Sequence, residues 1–387
     1  MLDPQHMRSS LAAAYPDLPA DAVRIVRAPG RVNLIGEHTD YNDGLVLPAA
    51  IDLETWIVAV PSGDRRVELT LADGARDGFE LDDPGPARGV WIDTVAGMAW
   101  SLDESGVPLR GLRGVVATTI PIGSGLSSSA AFQLAAAWAM AESLPPLDRM
   151  PLALAGQRAE NEYLGVRSGI MDQFASAHGR PGAALMLDCC SLEYREVALP
   201  LDQCVLVVCD TRSPRKLETS EYNARRRECE EAVAILARHV PGVSSLRDVD
   251  AGILERHGHE LDPVVRRRAE HVVAENERVR ASVDALESGT YERLGPLWAE
   301  SHRSLRELFE VTSPELDALV EIASETPGVV AARMTGAGFG GCTVNLVERD
   351  AVATLRERVG REYAARTGRE PGFHVVEPAE GAGAVAP

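Results

Sequence analysis

Arg31, Glu37, His38 and Asp40 fall together in RAPGRVNLIGEHTDYNDG, residues 27–44. A fixed cation, two carboxylates and an imidazole in one short segment could serve solubility alone, or could hold a polar ligand. Carboxylates and imidazole bind several hydroxyls in fixed directions. A site built this way rejects analogues that lack a hydroxyl, because its own polar groups are then left unpaired. Glu37-His38-Thr39-Asp40 does not have H-E-x-x-H spacing and no cysteine joins it. A sugar therefore suits the set better than a metal ion. Pro29-Gly30 and Asn42-Asp43-Gly44 read as turns at its two ends.

A second group suits phosphate. PIGSGLSSSAA, residues 121–131, follows a predicted strand and opens a predicted helix. Gly123 and Gly125 allow close backbone approach. Ser127, Ser128 and Ser129 put hydroxyls and free N–H groups at a helix N-terminus, which favours an anion. One N-cap serine would explain less than this run. MTGAGFGGC, residues 334–342, contains G-x-G-x-x-G, but CTVNLV after it reads as a strand where a dinucleotide fold needs a helix. The stretch is then either a connecting turn or a ligand-facing loop. SGIMDQF offers Asp172 at a helix start, as a cap or as a group that accepts a proton or holds a hydroxyl. AENEYLG offers Glu160 and Glu162, either of which could ligate Mg²⁺ or be a solvated acid. The run Arg225-Arg226-Arg227, flanked by glutamates, reads as a solvated helix face. His257 and His259 lack partner ligands nearby in sequence.

The elements that must position these groups are legible as periodicities. Strands are expected at 21–28, at 45–60 with an edge or bend at Pro48, and at 113–121. Helices are expected at 91–102, after the serine run, and from about 151. Strands follow at 183–188 and 204–210, then long helices at 216–238 and 262–288, the latter with Asp262 as N-cap, Pro263 at its first position and Gly289 past its end. Helices at 291–310 and 314–325 precede strands at 329–334, 342–347 and 373–376. Strands dominate the first third and helices the stretch 216–325, which indicates an α+β chain in two lobes, residues 1–190 and 191–387. The tail after Pro378 reads as mobile.

Bulk properties narrow the chemistry. The formal charge of −19 argues against a nucleic-acid or anionic-membrane partner. Lys216 is the single lysine, so neither a Walker A loop nor the strand lysine of a protein kinase can exist. If the protein handles ATP, it must cradle the phosphates without either lysine device. No signal-peptide pattern opens the sequence, and scattered cysteines exclude a disulfide framework or structural zinc. A cytoplasmic protein is expected.

These pieces form a familiar pattern. GRVNLIGEHTDYNDG closely resembles the sugar-binding segment of galactokinases, PIGSGLSSSAA the phosphate motif of the wider GHMP small-molecule kinases, and MTGAGFGGC that family's third motif. SGIMDQF, SEYNARRRECEE and ESHRSLRELFEVTSPELDAL are similar to further galactokinase segments, so the resemblance runs in order from about residue 21 to 377. It implies a two-lobed GHMP kinase fold with mixed sheets and packed helices, and an active site between the lobes. It also implies ATP-dependent phosphorylation of galactose at its anomeric hydroxyl, the first phosphorylation step of galactose catabolism.

Carried over by position, Glu37, His38, Thr39 and Asp40 would hold the sugar, with Tyr222 and the Gly169 backbone. Asp172 would face the attacking hydroxyl, and Arg31 would supply a cation near the transferred phosphoryl group. Gly123, Ser124, Gly125, Leu126, Ser127, Ser128 and Ser129 would wrap the phosphates, and Ser129 and Glu160 would ligate Mg²⁺. Lys216 stands where relatives commonly have histidine. A kinase for N-acetylgalactosamine or arabinose, or a non-catalytic sugar sensor, is the alternative. Galactose and ATP are the expected partners, with no obligate protein partner.

Overall fold

The structure is a computed structural model that describes residues 2–17, 23–213 and 218–385. Lys216 lies outside them. Three sheets form the frame. The first has six strands, in the order Gly383–Ala384, Arg24–Asn33, Pro48–Pro61, Leu112–Thr118, Arg66–Leu71 and Arg76–Glu80. It is mixed, because Arg66–Leu71 runs parallel to Leu112–Thr118 while its other pairs are antiparallel. The second is antiparallel, in the order Val329–Thr335, Cys342–Glu348, Cys204–Asp210 and Gly372–Val376. The third joins Leu45–Val46, Ala183–Asp188 and Tyr194–Ala198.

Cys204–Asp210 is buried along its whole length, as its unbroken apolar run requires of a strand covered on both faces. The helix Ser128–Met140 packs against the first sheet, and its alanines allow that close approach. The helix Pro263–Glu287 has the expected punctuation, with the Asp262 carboxylate accepting from the Val264 N–H. Val265, Ala269, Val272, Val279 and Val283 are buried along one stripe of it. The same helix also buries Arg268, His271, Glu275 and Asn276, which apolar periodicity does not reveal.

Several local expectations change. Pro29-Gly30 is not a turn: it lies inside the strand Arg24–Asn33, where Pro29 pairs with Glu54 and Gly30 with Ile51, so that Asp52 and Leu53 bulge from the partner strand Pro48–Pro61. A bulge increases the local twist of the pair, and Arg31 stands directly after this point. Pro48 opens an interior strand, a position that tolerates a missing N–H. Within the described residues the tail is held to the first sheet: Gly383–Ala384 pairs with Val26 and Arg27, and the Glu377 carbonyl accepts from the Asp52 N–H. The segment from about 377 therefore returns to the first sheet, across the division expected near residue 190. The helix Pro4–Ala14, capped by the Asp3 carboxylate, lies outside the expected elements. Among the described residues no helix is long and apolar enough to cross a membrane.

Candidate active site

The strand Arg24–Asn33 delivers Arg31 to the centre of the molecule, with its side chain almost wholly buried. Its Nε lies 2.8 Å and its Nη2 2.6 Å from Asp172 Oδ1. Its Nη1 donates to the Gly125 carbonyl at 2.6 Å. One guanidinium thus joins two elements far apart in sequence. Asp172 lies in the first turn of the helix Met171–His178 but does not cap it: the N-cap is Ile170, with no side-chain cap bond. The carboxylate is spent on Arg31 and stays one-third exposed.

The segment after the strand is held by the helical lobe. The Gly36 N–H donates to Glu275 Oε1, the Leu45 N–H to Asn276 Oδ1, and His271 Nε2 to the Glu37 carbonyl. His271 and Glu275, one helical turn apart, hold residues 36–37 while Asn276 holds Leu45, so one helix fixes both ends of the loop. His38 adopts a positive φ of 63°. Its Nε2 donates to the Ala337 carbonyl at 3.1 Å, so its Nδ1 accepts from the Tyr41 hydroxyl at 2.9 Å. Burial, then the neighbouring His271, push its pKa down to about 3, so the ring is neutral.

Asp40 Oδ2 accepts from the Met171 N–H at 3.4 Å. Burial, and then the Asp172 charge, raise its carboxyl to about 6. Gly169 has no room for a side chain, because a Cβ there would stand 2.0 Å from Asp40 Oδ2. Tyr222 completes this side, its ring 5.7 Å from His38 and 5.3 Å from Tyr41.

These groups enclose a cavity of about 190 Å³ lined by Arg31, Glu37, His38, Asp40, Glu160, Gly169, Asp172 and Tyr222, with Gly336 and Ala337 from the third glycine motif. That motif is thus ligand-facing, and the strand Cys342–Glu348 after it bears out the rejection of a dinucleotide fold. Thr39 does not reach the cavity. It is fully buried, and its hydroxyl donates to the Gly36 and Leu45 carbonyls, which makes it a brace of the loop.

The serine-rich loop lies beside this cavity. The Leu126 carbonyl accepts from the Arg31 N–H, and a Cβ on Gly336 would stand 2.9 Å from the Gly125 carbonyl. Both glycine loops therefore meet at Arg31. Leu126 itself is core, so it contributes backbone only. The loop turns through positive φ at Gly123, Gly125 and Ser127 into the helix Ser128–Met140. Among the described residues, the buried hydroxyls of Ser124 and Ser127 have no hydrogen-bond partner. A bound phosphate would supply one, at a terminus already favourable to anions.

Ser129 and Glu160 also meet: the Ser129 hydroxyl is 3.3 Å from Glu160 Oε1, and Ser168 donates to Oε2 at 2.5 Å. Burial, opposed by the Ser168 hydrogen bond, raises the Glu160 carboxyl, and a cation beside it would oppose that shift. One carboxylate and one hydroxyl, completed by phosphate oxygens and water, fit Mg²⁺. Among the described residues no group of three or more His, Cys, Asp or Glu could hold a metal by itself.

One arginine of the run departs from the solvated-face reading, while Arg226 keeps the expected i,i+4 pair with Glu230 at 3.2 Å. Arg225 is buried and donates from Nε and Nη2 to the Phe309 and Glu310 carbonyls, while Arg226 stands 5.8 Å over the Tyr41 ring. The flanking glutamates masked this, because the carbonyl acceptors are distant in sequence.

Comparison with known proteins agrees with the geometry. Residues 14–61 match the galactokinase galactose-binding signature, residues 93–180 the GHMP kinase N-terminal domain, and residues 282–365 the GHMP kinase C-terminal domain. A galactokinase of Roseiflexus sp. (strain RS-1) is 45% identical over 367 residues, spanning 93% of each chain. The crystal structure of Lactococcus lactis galactokinase complexed with galactose superposes with a TM-score of 0.92 at 36% identity, covering 97% of this chain and 98% of that one. Methanococcus jannaschii mevalonate kinase, 19% identical, shares the fold with a TM-score of 0.67 over 94% of this chain and 100% of its own.

Proposed function

Since the chain belongs to the galactokinase family of GHMP kinases, we propose that it transfers the γ-phosphoryl group of ATP to the anomeric hydroxyl of galactose, giving galactose 1-phosphate and ADP. The observation that carries this reading is the bridge through Arg31, which contacts both Asp172 at the hydroxyl-binding cavity and Gly125 in the phosphate loop. A group in that place serves a reaction in which a hydroxyl attacks a phosphoryl group.

Glu37, His38, Asp40 and Tyr222 direct carboxylate, imidazole and phenol groups at the sugar. Neutral His38 has committed Nε2–H to Ala337, so it offers the ligand its ring edge and Nδ1, shared with Tyr41. Asp172 orients the attacking hydroxyl and takes its proton. The two Arg31 contacts fix the direction of the carboxylate, and the proton moves late, after phosphoryl transfer is under way. Arg31 stabilises charge on the equatorial oxygens. The 123–129 loop holds the phosphates by backbone N–H groups and the Ser124 and Ser127 hydroxyls. Mg²⁺, held by Ser129 and Glu160, neutralises phosphate charge when bound.

Two measurements test this reading. ADP release with ATP and Mg²⁺ over a sugar panel is expected to give the highest kcat/KM with galactose. A higher value for N-acetylgalactosamine or arabinose would move the substrate assignment, and no turnover on any sugar would favour a sensor. The second concerns Gly169. Gly169→Ala forces Asp40 to move, and displacements of this size at a substrate contact cost about 10²-fold in kcat/KM. The loss should fall on galactose, with the KM for ATP nearly unchanged. An equal change for both substrates would mean a general distortion.

A further inference from the structure

Arg333, on the strand Val329–Thr335, is completely buried between two carboxylates, Glu37 and Glu275, that are themselves at most 1% exposed. Its Nη1 contacts Glu37 Oε2 and donates to the Leu34 carbonyl at 3.0 Å. Its Nη2 lies 3.6 Å from Glu275 Oε1. Glu275 has other work: Oε1 accepts from the Gly36 N–H and from the Ser301 hydroxyl, and Oε2 pairs with Arg278 at 2.7 Å. Burial alone would raise the Glu275 carboxyl, but Arg278 and Arg333 hold it near 2. It is therefore an anion and draws on part of the Arg333 charge. Glu37 is left with the remainder. Its other oxygen, Oε1, accepts from the Gly336 N–H at 3.1 Å. Glu37 thereby ties the segment that lines the cavity to the third glycine loop, which abuts Gly125.

We propose that Arg333 is a positioning residue for the sugar subsite: by gripping one oxygen of Glu37 it fixes the direction of the other, and so sets where both the sugar and the Gly336 loop sit. Arg333 does not line the cavity and acts only through Glu37. A guanidinium suits this role because its fork reaches Glu37, Leu34 and Glu275 from one planar group. Burying a charge that merely stabilised the fold would be a poor use of it, since well-packed apolar side chains do that as well.

The inference rests on the galactose-kinase reading. Absence of wild-type turnover with galactose would remove that reading, whereas the variants below test only Arg333. Arg333→Lys keeps a buried cation but loses the fork. It is expected to raise the KM for galactose about tenfold or more, with the KM for ATP held within about threefold. Because Arg333 acts through Glu37, adding Arg333→Lys to Glu37→Gln should raise the galactose KM no further than Glu37→Gln alone, within about threefold. A merely structural residue would give effects that multiply, or that move both substrates together, and either result overturns the proposal, as does an unchanged galactose KM. Should Arg333→Lys not fold, the double variant Glu37→Gln/Arg333→Gln removes the Glu37–Arg333 pair together, leaves Glu275 paired with Arg278, and is compared with Glu37→Gln. A galactose KM about tenfold or more above that of Glu37→Gln overturns the proposal, and so does failure of this variant to fold.

Discussion

Asp172→Asn is expected to lower kcat for galactose by about 10²- to 10⁴-fold, the usual contribution of a positioned acid–base group, while the protein stays folded. The substitution is nearly isosteric. Both short Arg31 contacts fall on Oδ1, and an amide oxygen can still accept there. Arg31 also keeps the Gly125 carbonyl. What is lost is the capacity to take a proton from the attacking hydroxyl. The variant carries a second signature. The Asp172 charge is, after burial, the main influence raising the Asp40 carboxyl to about 6. In the wild type, Asp40 therefore protonates as pH falls through about 6, and galactose KM rises below that pH. Without the Asp172 charge, Asp40 ionises more readily and this acid limb moves to lower pH. Steady-state kinetics across pH, with a melting curve as control, reads both effects. A kcat within about tenfold of wild type would remove Asp172 from the chemistry.

Arg31→Met should cost a comparable amount, about 10³-fold in kcat, the lower end of what an arginine on a transferring phosphoryl group contributes. It removes the transition-state cation, frees Asp172 to wander, and leaves the Gly125 carbonyl without its donor. Arg31→Lys restores a point charge but cannot hold Asp172 and Gly125 together, so its kcat should lie between those of the Arg31→Met variant and wild type. Residues that act as a unit lose their contributions non-additively. The double variant Arg31→Met/Asp172→Asn should therefore be far less damaged than the product of the two single losses. Fully multiplicative losses would show that the two side chains work on separate steps.

The chemistry-bearing segments were legible because each is local. The bounds of Cys204–Asp210 follow from an apolar run ended by a charge, and the start of Pro263–Glu287 from its Asp-Pro cap. Side-chain direction within loops was not legible. Thr39 sits among ligand-facing residues, yet the left-handed backbone at His38 turns it inward, and no periodicity reports such a reversal. The polar support behind the site was hidden for a different reason. Arg268, His271 and Glu275 recur at the same three- and four-residue spacing as the valines beside them, but charged residues at that spacing ordinarily face water. Partners from elsewhere in the chain make burial of these groups tolerable: Arg333 and the Gly36 N–H at Glu275, the Glu37 carbonyl at His271, and Glu228 and Glu310 at Arg268.

The pairing of Gly383–Ala384 with Arg24–Asn33 bears on how the chain assembles during synthesis. The strand that delivers Arg31 leaves the ribosome well before Gly383–Ala384, the residues that pair with its outer edge at Val26 and Arg27. At roughly 5–20 residues per second, that edge stays open for some tens of seconds. An uncovered strand edge is a template for pairing with other chains. The charges that the strand itself carries at Arg24 and Arg27 are thus placed to discourage wrong partners while the right one is still being made.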